Sequence, residues 1–253
     1  MNYLISTFDG FGDGIIYYPV FKEVESKVPK SEFFYTSNLF FQDNSITNKI
    51  KLPSNFRVVD DSFKKFSKEQ WETIYNFIEK NDIKVVINLR FIGRRFEKNY
   101  YNFKEWVSLK KSDIVFFDDE SLRGDGKINV RNIVLAIVEK ALNIKIPYNL
   151  NVLKEVFQPN KQSDSILINI HSRGTFKRWE VNKWAQLISF LASSDKRIRI
   201  YDGFGDIEKL YTNEVVENLQ PNIKTKIEIV RPQNLGELIE YLRDTFLLIS
   251  VDS

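Results

Sequence analysis

The sequence has no cysteine and a single histidine, His171, among its 253 residues. A chain without thiolates and with one imidazole cannot build a disulfide framework, a cysteine nucleophile or a Cys/His zinc site. The missing cysteines also fit a reducing compartment. An excess of one charge is lacking too, because 37 Lys and Arg oppose 34 Asp and Glu and leave a net charge of only +3. This balance does not favour nucleic acid as a partner, and we expect none.

Long hydrophobic runs are also missing. The longest apolar run, residues 133–138, is far shorter than the about 18 residues that a membrane-spanning helix needs. Residues 1–8 have neither the basic start nor the small-residue cleavage site of a signal peptide, and their apolar pattern indicates a first strand instead. We therefore expect a cytoplasmic protein.

What the sequence does contain is apolar surface for a core and a regular alternation of two patterns. Hydrophobic residues are 43% of the chain and aromatic residues 14%. Short β-branched or aromatic runs alternate with helical patterns, which predicts an α/β protein with parallel sheets. The predicted strands are residues 3–8, 33–36, 57–59, 84–89, 113–117, 166–170, 197–201, 227–230 and 246–251. The predicted helices are residues 15–27, 67–81, 130–143, 180–193, 206–219 and 235–244, and Ser67 and Gln70 have the spacing of a capping box.

A polar stretch with two prolines separates two such series of elements. Pro147 and Pro159 lie in it, and a strand-first pattern starts again at Ile166. We expect a first domain at residues 1–145, a linker at 146–165 and a second domain at 166–253. The chain stops at the tip of its last predicted strand, so we expect the second domain to be incomplete.

The first glycine-rich turn, residues 9–14, leads from a strand into a helix. Gly10 and Gly12 match two positions of a dinucleotide-binding fingerprint, but Ile15 stands where its third glycine belongs, and the second predicted strand ends without an acidic residue. An NAD-binding oxidoreductase is thus a weakly supported alternative. Asp13, at the start of the helix, either caps it or remains ionised and accepts a proton from a substrate hydroxyl.

A second small-residue turn follows the strand predicted at residues 166–170. Ser172, Gly174 and Thr175 expose backbone N–H groups there, and Lys177 and Arg178 add two cations. This combination suits a diphosphate, although a solvated basic loop has the same composition.

Three motifs in this order resemble the heptosyltransferase-like glycosyltransferases of family 9. They are Phe11-Gly12-Asp13, the pair Lys177 and Trp179, and the closing Val251-Asp252-Ser253, which is similar to the start of that family's donor motif. The resemblance implies two Rossmann-like domains facing across a cleft, the GT-B architecture, with the C-terminal end truncated.

The resemblance also implies an activity and its residues. It implies inverting, metal-independent transfer of a sugar from a nucleotide-diphosphate donor, as co-substrate and without a cofactor, to a glycan or glycoconjugate acceptor. Asp13 matches the catalytic base and Lys177 the cation that binds the diphosphate. The remaining residues that match or adjoin donor positions are Ser172, Gly174, Thr175, Asp252 and Ser253, with Asp206 and Glu208 as candidates for the nucleotide and Gly12 for the acceptor.

Other features leave alternatives open. Arg90, Arg94 and Arg95 follow a predicted strand and either bind an anionic acceptor or form a solvated basic turn. Phe40 and Phe41 are core and loop residues, or contact the inner face of the membrane if the acceptor is a lipid-linked sugar. A non-catalytic nucleotide- or sugar-binding module is the alternative function, since the donor motif lacks its glycine and histidine.

Overall fold

The computed structural model describes residues 1–7, 11–36, 44–47, 50–60, 63, 65–89, 97–111, 113–118, 130–158, 163–172 and 177–251. The chain forms two compact units, Met1–Val156 and Phe157–Ser253. Their boundary falls inside the stretch 146–165 that the sequence analysis assigned to a linker, and a short helix, Asn151–Phe157, occupies part of that stretch.

The first unit is built on a five-stranded parallel sheet with the order β3-β2-β1-β4-β5. The inner strands β1 and β4 are almost wholly buried because both faces of a parallel sheet are covered. The strands are Asn2–Ser6 (β1), Glu32–Thr36 (β2), Phe56–Val59 (β3), Ile83–Asn88 (β4) and Val115–Phe117 (β5). The helices are Phe11–Lys27 (α1), Asn44–Thr47 (α2), Trp71–Lys80 (α3), Glu97–Lys110 (α4), Val130–Leu142 (α5) and Asn151–Phe157 (α6).

The second unit repeats this design with four parallel strands in the order β8-β7-β6-β9. In both sheets the first strand of the unit therefore lies between the second and the fourth. The strands are Ser165–Asn169 (β6), Arg197–Tyr201 (β7), Ile227–Val230 (β8) and Leu247–Ser250 (β9). The helices are Val181–Leu191 (α7), Asp206–Glu217 (α8), Pro221–Lys224 (α9) and Leu235–Arg243 (α10).

Each unit has a core of its own. In the first, aromatic rings dominate one cluster, and the ring centroids of Phe66 and Phe103 lie 5.1 Å apart. In the second, Ile168 and Ile200 of the sheet pack against Trp184 and Ile188 of α7. Burying one such large apolar side chain stabilises the fold by about 1.5–3 kcal/mol, so these clusters hold the sheets that carry the loops.

All nine predicted strands are present in order, with small shifts at their ends. The helices differ more from the prediction. Helix α1 starts at Phe11 rather than residue 15, and therefore includes Gly12 and Asp13. Helix α4 was not predicted, because its many aromatic residues have no strong helix propensity and only its packed face, with Tyr100 and Phe103, shows the helical spacing.

The predicted capping box at Ser67 does not form. The Ser67 hydroxyl bonds the side-chain oxygen of Gln70 at 3.2 Å and caps no backbone N–H. A short 3₁₀ turn, Lys68–Gln70, precedes α3 instead, and it moves the true helix start beyond the reach of Ser67.

Candidate functional site

In both sheets the strand order reverses between the first and the fourth strand of the unit, which places a topological switch point between these two strands. In α/β proteins, ligands bind outside the carboxyl ends of the strands at this point. In the first unit it lies where Ser6 of β1 pairs with Asn88 of β4. In the second it lies where Asn169 of β6 pairs with Ser250 of β9, and the Asn169 amide donates to the Ser250 hydroxyl at 3.1 Å.

The switch point of the first unit is held by buried polar contacts. The Thr7 hydroxyl donates to the Thr36 carbonyl at 2.7 Å, which ties β1 to β2, and the Tyr17 hydroxyl of α1 donates to the Leu89 carbonyl at 3.3 Å. The first turn of α1 contains Asp13, so its backbone is at a helix N-terminus as expected. Its side chain lies outside the described parts of the chain, and so do the predicted acceptor residues Arg90, Arg94 and Arg95.

In the second unit, the connection from β6 to α7 carries the predicted phosphate residues. Ser172 is only 3% exposed, and its carbonyl accepts a hydrogen bond from Arg178 Nε at 3.1 Å. The Arg178 guanidinium lies 5.3 Å from the centre of the Tyr211 ring, so this cation contacts both Ser172 and α8. Lys177 is exposed. Four other predicted donor residues, Gly174, Thr175, Asp252 and Ser253, lie outside the described residues.

The two candidates for nucleotide binding lie in the first turn of α8, directly after the β7–α8 turn, and differ in their surroundings. Gly203 has a φ of +72°, and a Cβ there would lie 2.4 Å from the Glu208 Cβ. A Cβ on Gly205 would lie 2.3 Å from Glu208 Oε2. Two glycines thus let Glu208 lie across the turn. Asp206, in contrast, has a side chain that is 97% exposed and faces Lys209 at 3.6 Å.

His171 connects the two turns of the second unit. Its Nε2 lies 3.1 Å from the Thr212 hydroxyl on α8, and its backbone N–H donates to the Asn169 side chain at 3.1 Å. Its ring makes edge contacts with Tyr201 and Tyr211, each with a centroid distance of 6.1 Å. His171 is thus a packed residue.

The surroundings of His171 determine its charge. Burial lowers the pKa of His171, while the Tyr201 carbonyl and the carboxylates of Glu208 and Asp202 act in the opposite direction, and Arg178 lowers it further. Burial, with a contribution from Glu208, raises the pKa of Tyr201 to about 12. At neutral pH the centre of this unit therefore holds a neutral imidazole and a protonated phenol.

One ion pair at this edge of the sheet was missed by the sequence analysis. Asp202 directly follows β7 and is fully buried, and its Oδ2 accepts a hydrogen bond from Arg231 Nε at 2.6 Å. Arg231 directly follows β8, and its side chain is 60% exposed. The sequence did contain a signal for this ion pair, because an acidic residue directly follows one predicted strand and a basic residue directly follows the next. These two strands are neighbours in the sheet.

A cavity of about 430 Å³ also opens in the second unit, between α10 and the sheet. Its one arginine, Arg199, is already paired, with Asp244 Oδ2 at 2.7 Å and Glu228 Oε2 at 3.0 Å, and the other lining residues are Glu237, Glu240 and Tyr241.

Among the described residues, no group of three or more Asp, Glu or His side chains is placed to hold a metal ion. The helices of the described segments include none that is long and apolar enough to cross a membrane.

No family model matches the sequence, and no curated protein matches it. Solved structures do match. E. coli heptosyltransferase WaaC with ADP-2-deoxy-2-fluoro heptose aligns with 100% of this chain and 83% of its own at 13% identity, with a TM-score of 0.65. A family 9 glycosyl transferase from Veillonella parvula aligns with 98% of this chain and 75% of its own at 16% identity, also with a TM-score of 0.65. A putative UDP-N-acetylglucosamine 2-epimerase from Listeria monocytogenes aligns with 98% of this chain and 73% of its own at 10% identity, with a TM-score of 0.54.

These similarities confirm the predicted fold class, an α/β chain of the GT-B type with parallel sheets. Within that class, the fold is the one seen in heptosyltransferases and family 9 glycosyltransferases, as the sequence resemblance implied.

Proposed function

We propose that the chain is a glycosyltransferase that moves a sugar from a nucleotide-diphosphate donor to a glycan or glycoconjugate. The observation that carries this proposal is the match of the whole chain to a heptosyltransferase structure that contains a nucleotide-sugar analogue. The epimerase match has a lower TM-score and involves a nucleotide sugar as well, so it favours the same class of donor.

In this proposal the second unit binds the donor. The exposed Lys177 stabilises the negative charge that develops on the departing diphosphate, together with backbone N–H groups of the turn that starts at Ser172. Glu208 is the better of the two candidates for a nucleotide hydroxyl, because it lies across the β7–α8 turn, whereas Asp206 faces solvent.

Asp13 is the proposed general base. A carboxylate in the first turn of α1 remains ionised because the helix dipole favours negative charge there. It takes the proton of the acceptor hydroxyl while that oxygen attacks the anomeric carbon from the face opposite the leaving group. Transfer is then inverting and needs no metal ion. Arg90, Arg94 and Arg95 are proposed to bind an acidic acceptor, and Phe40 and Phe41 to contact a membrane surface if that acceptor is lipid-linked.

The test begins with nucleotide binding and continues with sugar transfer. Nucleoside diphosphates should raise the Tm of the protein, because a ligand that binds only the folded state stabilises it. Asp13→Asn should lower turnover by about 10²-fold or more while nucleotide binding stays unchanged. Glu23→Gln, a carboxylate change in the same helix, serves as the control.

Lys177→Ala should weaken nucleotide binding, measured by calorimetry. Lys183→Ala should not weaken nucleotide binding, because that exposed lysine of α7 pairs with Glu180, the N-cap residue of the helix, at 3.1 Å. Near-wild-type turnover in Asp13→Asn would remove the catalytic assignment. Nucleotide binding without transfer to any acceptor would instead identify a binding module, and quenching of NADH fluorescence would point to an oxidoreductase.

A further inference from the structure

The ion pair of Asp202 and Arg231 lies where two loops leave neighbouring strands. Tyr201 and Val230, the last residues of β7 and β8, are in register, so the residue after each strand lies at the same carboxyl edge of the sheet. Asp202 N–H also donates to the Val230 carbonyl at 3.1 Å. The pair thus sits beside the β7–α8 turn that the Glu208 side chain lies across, at the edge where ligands of parallel sheets bind.

The arginine is held rigidly on its backbone side. Its carbonyl accepts a hydrogen bond from Gln233 Nε2 at 3.0 Å, and the next residue, Pro232, is buried and has a fixed φ. The Gln233 N–H is in turn bound by Glu237 Oε2 at 2.8 Å. A side chain on such a fixed loop loses little further freedom when it binds a ligand.

The free part of Arg231 is its terminal fork. Within the described chain its only hydrogen bond uses Nε, so Nη1 and Nη2 keep their donors, on a side chain that is 60% exposed. Asp202 is fully buried and balances the charge of the guanidinium. Because this charge is already balanced, a neutral ligand edge with two adjacent hydrogen-bond acceptors fits the fork better than an anionic phosphate does.

An exposed aromatic ring lies two residues from Asp202. Phe204 is 51% exposed, and its ring centroid is 5.8 Å from that of Tyr201. Nucleobases stack on exposed aromatic rings, and each such stack contributes measurably to binding. A stacking ring and an arginine fork at one sheet edge are the two kinds of group that recognise a nucleobase.

We propose that Arg231, positioned by Asp202, selects the nucleobase of the donor and favours a base with two adjacent acceptors. Guanine offers O6 and N7, and cytosine offers O2 and N3, whereas adenine places a donor beside N7 and uracil places N3–H between its two oxygens. This inference rests on the proposed function and names the nucleotide that its donor site takes.

The experiment measures the dissociation constants of GDP, CDP, ADP and UDP by calorimetry on the full chain. We expect GDP or CDP to bind at least about tenfold more tightly than ADP and UDP. Arg231→Lys keeps the ion pair with Asp202 but loses the fork, so it should keep the fold and reduce the preference to less than about threefold. Arg243→Lys, a change of a half-buried arginine bonded to Glu240, is the matched control and should leave the preference intact.

Each other result has a definite meaning. Preference for ADP or UDP in the wild type, or an unchanged preference in Arg231→Lys, overturns the proposal while the donor site stands. If Arg231→Lys weakens inorganic pyrophosphate as much as GDP, Arg231 binds phosphate and the proposal is wrong. If none of the four nucleotides binds, the proposed function itself fails. Should Arg231→Lys unfold, the neutral pair Asp202→Asn with Arg231→Gln replaces it.

Discussion

At the scale of single residues, the second unit depends on buried polar side chains that hydrogen-bond residues distant in the sequence. His171 bonds Thr212, and Asp202 bonds Arg231, and both contacts join elements that are distant in the sequence. A buried polar group that loses its partner costs about 1–3 kcal/mol, and a buried charge costs more. These residues therefore fix the positions of the loops around the candidate donor site.

His171 predicts a pH dependence of stability. Because burial lowers the pKa of His171 in the folded state, the unfolded chain binds more protons just below the ordinary histidine pKa of about 6.5. The contribution of the neutral His171 to the free energy of unfolding is complete above that pH. It is lost as the pH falls toward the lower folded-state pKa, by at most about 1.4 kcal/mol per pH unit. We expect the Tm to fall between pH 7 and 5.

His171→Gln should flatten this dependence, which thermal unfolding at several pH values measures. The chain has no other histidine, and most carboxyl groups titrate near pH 4, so the window belongs mainly to this residue. Thr212→Val is the companion variant, because it keeps the imidazole and removes only its hydrogen bond. An equally steep dependence in His171→Gln would show that burial of the imidazole does not control it.

At the scale of elements, helix α10 has the best-formed N-terminus among the described helices whose caps are seen. Asn234 accepts a hydrogen bond from the Glu237 N–H at 2.9 Å, and Glu237 binds the Gln233 N–H in return. Two N–H groups at the helix start are thus satisfied by side chains. This helix also follows the loop of Arg231, so its cap stabilises the candidate base site.

Asn234→Ala should lower the free energy of unfolding by about 1 kcal/mol, because it removes an N-cap. Ser67→Ala should cost less than half as much, since Ser67 caps no backbone group. Urea denaturation of both variants measures the difference. Equal losses would mean that the Asn234 cap contributes no more than an ordinary surface hydroxyl.

At the scale of the whole molecule, each of the two units contains a hydrophobic cluster formed by its own described residues. Ile74 belongs to a buried cluster formed by residues of the first unit, and Ile188 to one formed by residues of the second. Each unit therefore has the apolar contacts that allow it to unfold as a unit of its own.

Ile74→Ala and Ile188→Ala should each lower the stability of one unit by about 2–5 kcal/mol. Hydrogen exchange read by mass spectrometry should show faster exchange mainly in the unit that carries the change. Ile207→Ala, at an exposed position on α8, should leave the stability and the hydrogen exchange of both units unchanged. Equal loss of protection across both units in either core variant would show that they unfold together.

The sequence by itself determined the class of fold and the order of the strands along the chain. Apolar periodicity is a local property, so the alternation of strands and helices could be read before any contact was known. The same reading failed at α4, whose aromatic residues hide the helical pattern, and at Ser67, where a 3₁₀ turn displaces the helix start.

Only the tertiary structure decided which loops meet. Arg231 lies 29 residues from Asp202, and His171 lies 41 residues from Thr212, and each pair meets because β6, β7 and β8 are neighbours in the sheet. No local pattern encodes the order of strands in a sheet, since every buried parallel strand has much the same apolar composition. The donor-side residues could therefore be named in part from motifs, but the base-selecting pair could be found only after the strands were placed side by side.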